Sequence, residues 1–183
     1  FNLLNDNTKR KKIYLVLTAV QLGLLCGFRS ISVGYDTSAY KDIFNMCSKN
    51  WKHILDKNSY IEIGFTAMCS IIKLLGGDFQ IMLIITSLFV MGSCCLFFYR
   101  HSKNILFSVF IIISFPYFYS SFDIIRHFIA TSFILLGYKY IEDRKFWKYF
   151  FFVLLGGLFQ TGAWLFLPFY YINKIKWNGM LYS

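Results

Sequence analysis

Hydrophobic positions in this chain come in long blocks. Residues 13–28, 79–99, 104–122 and 149–173 contain no Asp, Glu, Lys or Arg. A helix rises about 1.5 Å per residue and a hydrocarbon core is about 30 Å thick, so all but the first block are long enough, or nearly so, to cross it alone. The pattern predicts an all-α protein, a polytopic integral membrane helical bundle forming a single transmembrane domain. Spans are expected over 13–28, 79–99, 104–121 and 122–139. Block 149–173 fits either one long tilted span or a hairpin broken near Gly156-Gly157. No repeat of 20 to 50 residues and no low-complexity tract interrupts this order.

Residues 61–75 are apolar but short, open on Glu62 and contain Lys73. They read as a re-entrant or interfacial helix, ended by Gly76-Gly77 with Asp78, because a full span here would invert every later loop. Basic residues cluster at Lys9-Arg10-Lys11-Lys12, at Arg100 with Lys103, and from Lys139 to Lys148. Such clusters mark cytoplasmic loops. Residues 1–12 are then a cytoplasmic basic tail and 29–60 an outer loop, in which Ile43, Phe44, Met46, Trp51, Ile54 and Leu55 fit a short amphipathic helix on the bilayer surface.

Composition supports the membrane reading: 57% of the 183 residues are hydrophobic and 21% aromatic, against 15% charged. The net charge of +10 is dispersed between apolar blocks, so a nucleic-acid partner is rejected. Five cysteines form no CxxC motif and no Cys/His ligand set, and read as packing residues. Residues 9–28 have a basic start and an apolar middle but no small-x-small cleavage site, and read as an uncleaved first span. The chain begins at Phe1 and stops soon after Trp177 without a terminal motif, so it is expected to be part of a longer membrane protein with further helices.

In such a chain, ionisable groups near bilayer depth are the candidates for chemistry. The charge-free part of 122–139 runs only from His127 to Tyr138, roughly 18 Å by helical rise, so the outer leaflet or interface must receive Asp123, Arg126 and His127. Their spacing of i, i+3 and i+4 puts all three on one helix face. Arg126 offers a planar fork of donors suited to phosphate, or simply snorkels to headgroups while pairing with Asp123. Arg29, where the first span leaves the bilayer, carries the same two readings. Asp36 and Tyr40 lie four apart and suit sugar hydroxyls, although Asp36 equally suits a helix N-cap. Glu62 suits a general base, or an acid at a helix N-terminus. Gln160 fits interhelical hydrogen bonding. His53 and His101 lack neighbouring ligands, so no metal site and no cofactor are expected. GxSxG, Walker and DxD-like motifs are absent.

The series Gly27-Phe28-Arg29-Ser30, Val33-Gly34-Tyr35-Asp36-Thr37 with Tyr40 and Phe44, Glu62-x-Gly64-Phe65, Phe122 through Ala130 around Asp123-Ile124-Ile125-Arg126-His127, and Arg144-Lys145 resembles the EpsG family of Wzy-like exopolysaccharide polymerases. The resemblance extends over about residues 20–172. It implies a multi-pass protein of the bacterial inner membrane, a glycosyltransferase joining repeat units of a surface polysaccharide (exopolysaccharide, capsule or O-antigen) carried on undecaprenyl pyrophosphate. A flippase and a chain-length regulator are candidate partners beside the lipid bilayer. Transferred by residue, Arg29 and Arg126 would clamp the pyrophosphate on the outer face, Asp36 or Glu62 would act as catalytic base, and Tyr40, Asp123, His127 and Gln160 would line the substrate. The chain departs from the family at three places: Asp123 for a common Asn, His127 for Gln, and Phe159-Gln160 for Phe-His. Two alternatives remain: a flippase or transporter of lipid-linked oligosaccharide, and a membrane O-acyltransferase using His127.

Overall fold

Helix boundaries follow the charged and helix-breaking positions closely. The computed structural model describes residues 8–47 and 61–172, which are helical with short joints and no strand among them. Trp51, Ile54 and Leu55, assigned from sequence to a surface helix, lie outside the described residues, as does His53.

Helix α1 (Thr8–Gly27) begins within the basic cluster, and α4 (Phe79–His101) packs along it. Two glycines permit the approach. A Cβ on Gly23 would sit 2.8 Å from Leu88 Cδ2, and one on Gly27 2.8 Å from Ile84 Cα. This Gly23-x-x-x-Gly27 stripe is the small-residue device by which helices in lipid bring their backbones together. Gln80 closes the pair by donating from its side-chain amide to the Gly27 carbonyl. The start of α4 is fixed locally, since the Asp78 carboxylate accepts from Ile81 N at 2.9 Å as an N-cap.

Helix α2 (Thr37–Met46) and α3 (Ile63–Leu74) are short. At about 1.5 Å per residue, the 12 residues of α3 reach roughly 18 Å. Their inner faces meet in one core, in which Tyr40, Phe44, Phe65 and Cys69 pack with Phe79, Met82 and Ile129. Lys73 joins the two elements from α3. Its ammonium donates to Asn45 O at 2.8 Å and Cys47 O at 2.6 Å, satisfying the carbonyls that end α2.

The stretch expected as a span over 104–121 is two helices, α5 (Ile105–Ser114) and α6 (Pro116–Asp123), bent by 54°. The cause is Pro116, which has no N–H to continue the ladder and sits in the first turn of α6, while Phe115 before it is extended. A second break follows at Ile124 (φ −105°, ψ 61°), and α7 runs from Ile125 to Glu142. Helix α7 turns into α8 (Phe146–Phe159) through three residues, with Arg144 in the left-handed region at φ 54°. Block 149–173 is broken at extended Gln160 (φ −154°, ψ 120°), four residues beyond Gly156, and continues as a 3₁₀ turn (Thr161–Phe166) and α9 (Phe169–Ile172). Tyr149, fully buried, fastens the fold-back by donating to Phe166 O at 2.5 Å.

Among the described residues one helix, α4, is long and apolar enough to cross a membrane, or two if the bent α5–α6 pair counts as one span. Large apolar side chains are nonetheless widely exposed, including Ile13, Leu17, Phe110, Phe151 and Leu165. Apolar surface so extensive needs a covering phase or partner.

Candidate functional site

The two helix breaks and the ends of α1 and α3 build the polar region of the molecule. The helix face expected to carry Asp123, Arg126 and His127 is broken at Ile124. Because the chain leaves helical geometry there, Asp123 closes α6 while Arg126 and His127 lie in the first turn of α7, so the three do not share one continuous helix face. Their partners differ accordingly.

Asp123 turns to the loop after α1. Its Oδ1 accepts from Tyr35 N at 2.5 Å. Gly34 beside it has φ +93°, and a Cβ there would lie 2.6 Å from Thr37 Oγ1 and 2.9 Å from Asp123 Oδ1. Glycine is therefore required on both conformational and packing grounds. Thr37, fully buried, donates back to Val33 O at 2.8 Å.

Arg29 fastens the same loop from inside. It is 6% exposed, donating to Cys26 O at 3.0 Å and Phe122 O at 2.9 Å, with its guanidinium 5.4 Å from the Phe122 ring centre. Burial pushes its pKa down from the usual arginine value, with Cys26 and Asp123 opposing the shift. Arginine remains charged across any accessible pH. The guanidinium borders an interior cavity of about 10 Å³ with Ser87 and Ser121. That is room for about one water.

Arg126 turns the other way. It forms an ion pair with Glu62, whose residue caps α3 without using its carboxylate for the cap, and it lies over the Tyr40 ring at 6.0 Å. Both side chains are only part-buried, Arg126 at 26% and Glu62 at 18% exposure, so the pair faces an accessible region. Gly64 holds α3 against the last turn of α8, since a Cβ there would meet Leu158 O at 2.7 Å. Gln160 follows two residues later as the α8 C-cap.

Among the described residues, the buried side-chain nitrogen and oxygen atoms without a hydrogen-bond partner are Arg29 Nε and Arg126 Nε. An unmatched buried donor costs about 1–3 kcal/mol, so each invites an acceptor. Asp36 is exposed at the α2 N-cap position, and its side chain makes no capping hydrogen bond. His127 is exposed beside Phe128, with ring centres 6.3 Å apart. No group of three His, Cys, Asp or Glu side chains among the described residues is placed to hold a metal ion. The site thus divides into two clusters: Arg126 with Glu62 and Tyr40, and Arg29 with Asp123 and the Gly34 turn. The backbone acceptors at Cys26 and Phe122 carried no sequence signal, and Gly34 entered only within the Val33-to-Thr37 series that carries the family resemblance.

An all-helical, membrane-associated protein with a cation–carboxylate pair at a helix junction is the class these features define. The EpsG family model matches residues 12–183, and the chain belongs to the EpsG family. Membership associates it with exopolysaccharide biosynthesis and with glycosyltransferases of the polysaccharide polymerase type. No curated protein and no solved structure matches the chain.

Proposed function

We propose that this protein is a multi-pass inner-membrane polymerase that transfers lipid-linked oligosaccharide repeat units at its outer face, using an undecaprenyl pyrophosphate donor. The observation that carries the reading is the Arg126–Glu62 pair, part-buried and accessible, with an unmatched N–H on the arginine. A diphosphate supplies acceptors to the accessible N–H groups of the fork in place of Glu62.

In the reaction the acceptor hydroxyl oxygen bonds to the donor's anomeric carbon. The bond from that carbon to the diphosphate oxygen breaks, its electron pair staying on the leaving diphosphate, and the hydroxyl proton passes to a carboxylate. Arg126 stabilises the charge developing on the diphosphate. Glu62 is the base we favour over Asp36, because it stands against the arginine while Asp36 points to solvent from α2. Tyr40, expected from sequence to meet the sugar, is buried against Phe65 and instead supports the Arg126 guanidinium from the core side. Arg29, with two guanidinium nitrogens engaged on carbonyls and a water-sized cavity beside it, acts in this reading as a positioning residue that locks the α1 loop onto α6.

A transporter of the same lipid-linked sugars is the second reading, favoured by the broken α5–α6 and α8 segments, since discontinuous helices commonly form transport sites. The test is purified protein with a lipid-linked repeat unit. Polymer should form, and Arg126→Lys, which keeps the charge and loses the fork, should abolish it at normal protein level. In cells, single units should then accumulate on the outer face; units trapped on the cytoplasmic face would favour the transporter.

A further inference from the structure

The opposite end of the α1–α4 pair carries a second feature. Between the two helices lies an open groove of about 590 Å³. Its walls are apolar, formed by Val16 and Val20 of α1 and Leu88 and Leu96 of α4, and its mouth carries Lys12, Tyr99 and Arg100. Both Lys12 and Arg100 are exposed. Lys11 adds a third cation nearby, 5.6 Å from the Tyr99 ring centre. Gly92 forms part of the groove, and a Cβ there would meet no atom within 4 Å.

We propose that this groove is a binding site for an anionic phospholipid of the cytoplasmic leaflet, its phosphate held by Lys12 and Arg100 and an acyl chain lying between α1 and α4. The occupant follows from charge and shape together. A purely apolar groove would accept any hydrocarbon, but two cations at one end select a negative headgroup, and basic pockets between helices on the cytoplasmic side are suited to such lipids. The site lies at the other end of α1 from the loop that Arg29 fastens. Lys12 and Gly27 are about 22 Å apart by helical rise, so one lipid diphosphate does not reach both Lys12 and the loop after Gly27. The binding ties the cytoplasmic ends of α1 and α4 together, complementing the Gly23 and Gly27 contact near the other end.

The proposal rests on the membrane reading of the chain, and the experiment separates the two. Full-length protein in neutral detergent is examined by native mass spectrometry with added phosphatidylglycerol or phosphatidylcholine, and each variant is first checked for alkali-resistant membrane retention. Alkali-extractable wild-type protein would sink the membrane reading and this inference with it. With retention intact, phosphatidylglycerol adducts should exceed phosphatidylcholine adducts several-fold. The preference should disappear in K12Q/R100Q, and occupancy should fall about ten-fold in Gly92→Phe, which fills the groove. Equal binding of the two lipids, or adducts unchanged in both variants, would overturn the proposal. So would recovery of a polyprenyl diphosphate in the wild type that is lost in both variants, or a photocrosslink from position 92 to another segment of this chain.

Discussion

Arg126 and Glu62 stand 64 positions apart in sequence and meet as an ion pair, joining the first turn of α7 to the cap of α3. The contact places a carboxylate that can take a proton beside a cation that can hold a leaving group. In the proposed reaction a donor diphosphate arriving at Arg126 would compete with Glu62 and leave that carboxylate available to the acceptor.

Glu62→Gln keeps the shape of the pair and removes the base. Polymerisation by purified protein should fall roughly 10²- to 10⁴-fold, the usual range for a lost general base, with donor binding retained. Asp36→Asn should leave the rate near wild type. The reverse ranking would move the base to Asp36, and wild-type rates for both would remove base catalysis by these carboxylates.

Gly34→Ala places a Cβ against Thr37 and Asp123 in a backbone with φ +93°. The strain is on the order of 1–3 kcal/mol and should appear as a lower melting temperature in detergent. Asp123→Ala, which removes the exposed hydrogen bond from Tyr35 N, should act in the same direction by about 0.5–1.5 kcal/mol. Unchanged melting in both would show that the α1 loop is not anchored at Asp123.

Cys47 is half-buried at the end of α2, and its pKa is lowered to about 7, chiefly by the neighbouring Cys69 thiol and further by the Lys73 ammonium, against the effect of burial. A depressed pKa means the thiolate dominates above about pH 7, so maleimide labelling of Cys47 should rise through pH 7 and level off above it. In Cys69→Ala the rise should move up to the ordinary thiol range near 8.5. A profile indifferent to Cys69 would contradict this account.

Topology is open to direct labelling in a background without native cysteines. The charge bias predicts that Arg100 with Lys103 and the Lys139–Lys148 segment lie inside and that the 94% exposed Tyr35 lies outside. An impermeant thiol reagent applied to cells should label Tyr35→Cys and fail at Ser102→Cys and Asp143→Cys. Strong labelling at Ser102→Cys would mean that the chain crosses the bilayer between Tyr35 and α4.

The sequence by itself determined the all-helical class, because charge-free blocks and breakers such as Pro116 and Asp78 act through neighbours within a turn or two. It also singled out Arg29, Arg126 and Glu62, since charge near apolar blocks is visible without coordinates. Partnership was decided only in three dimensions. Asp123 and Arg126 have the spacing of a helical pair, yet the break at Ile124 sends Asp123 to Tyr35 N and Arg126 to Glu62. Likewise the fold-back at Gln160 depends on Tyr149 reaching Phe166 O, a contact across 17 positions. The physical reason is that hydrophobic blocks report how each segment is solvated, whereas a hydrogen bond needs two groups within about 3 Å in a defined direction. That geometry is set by how whole helices pack, as the approach of α1 to α4 at Gly23 and Gly27 illustrates.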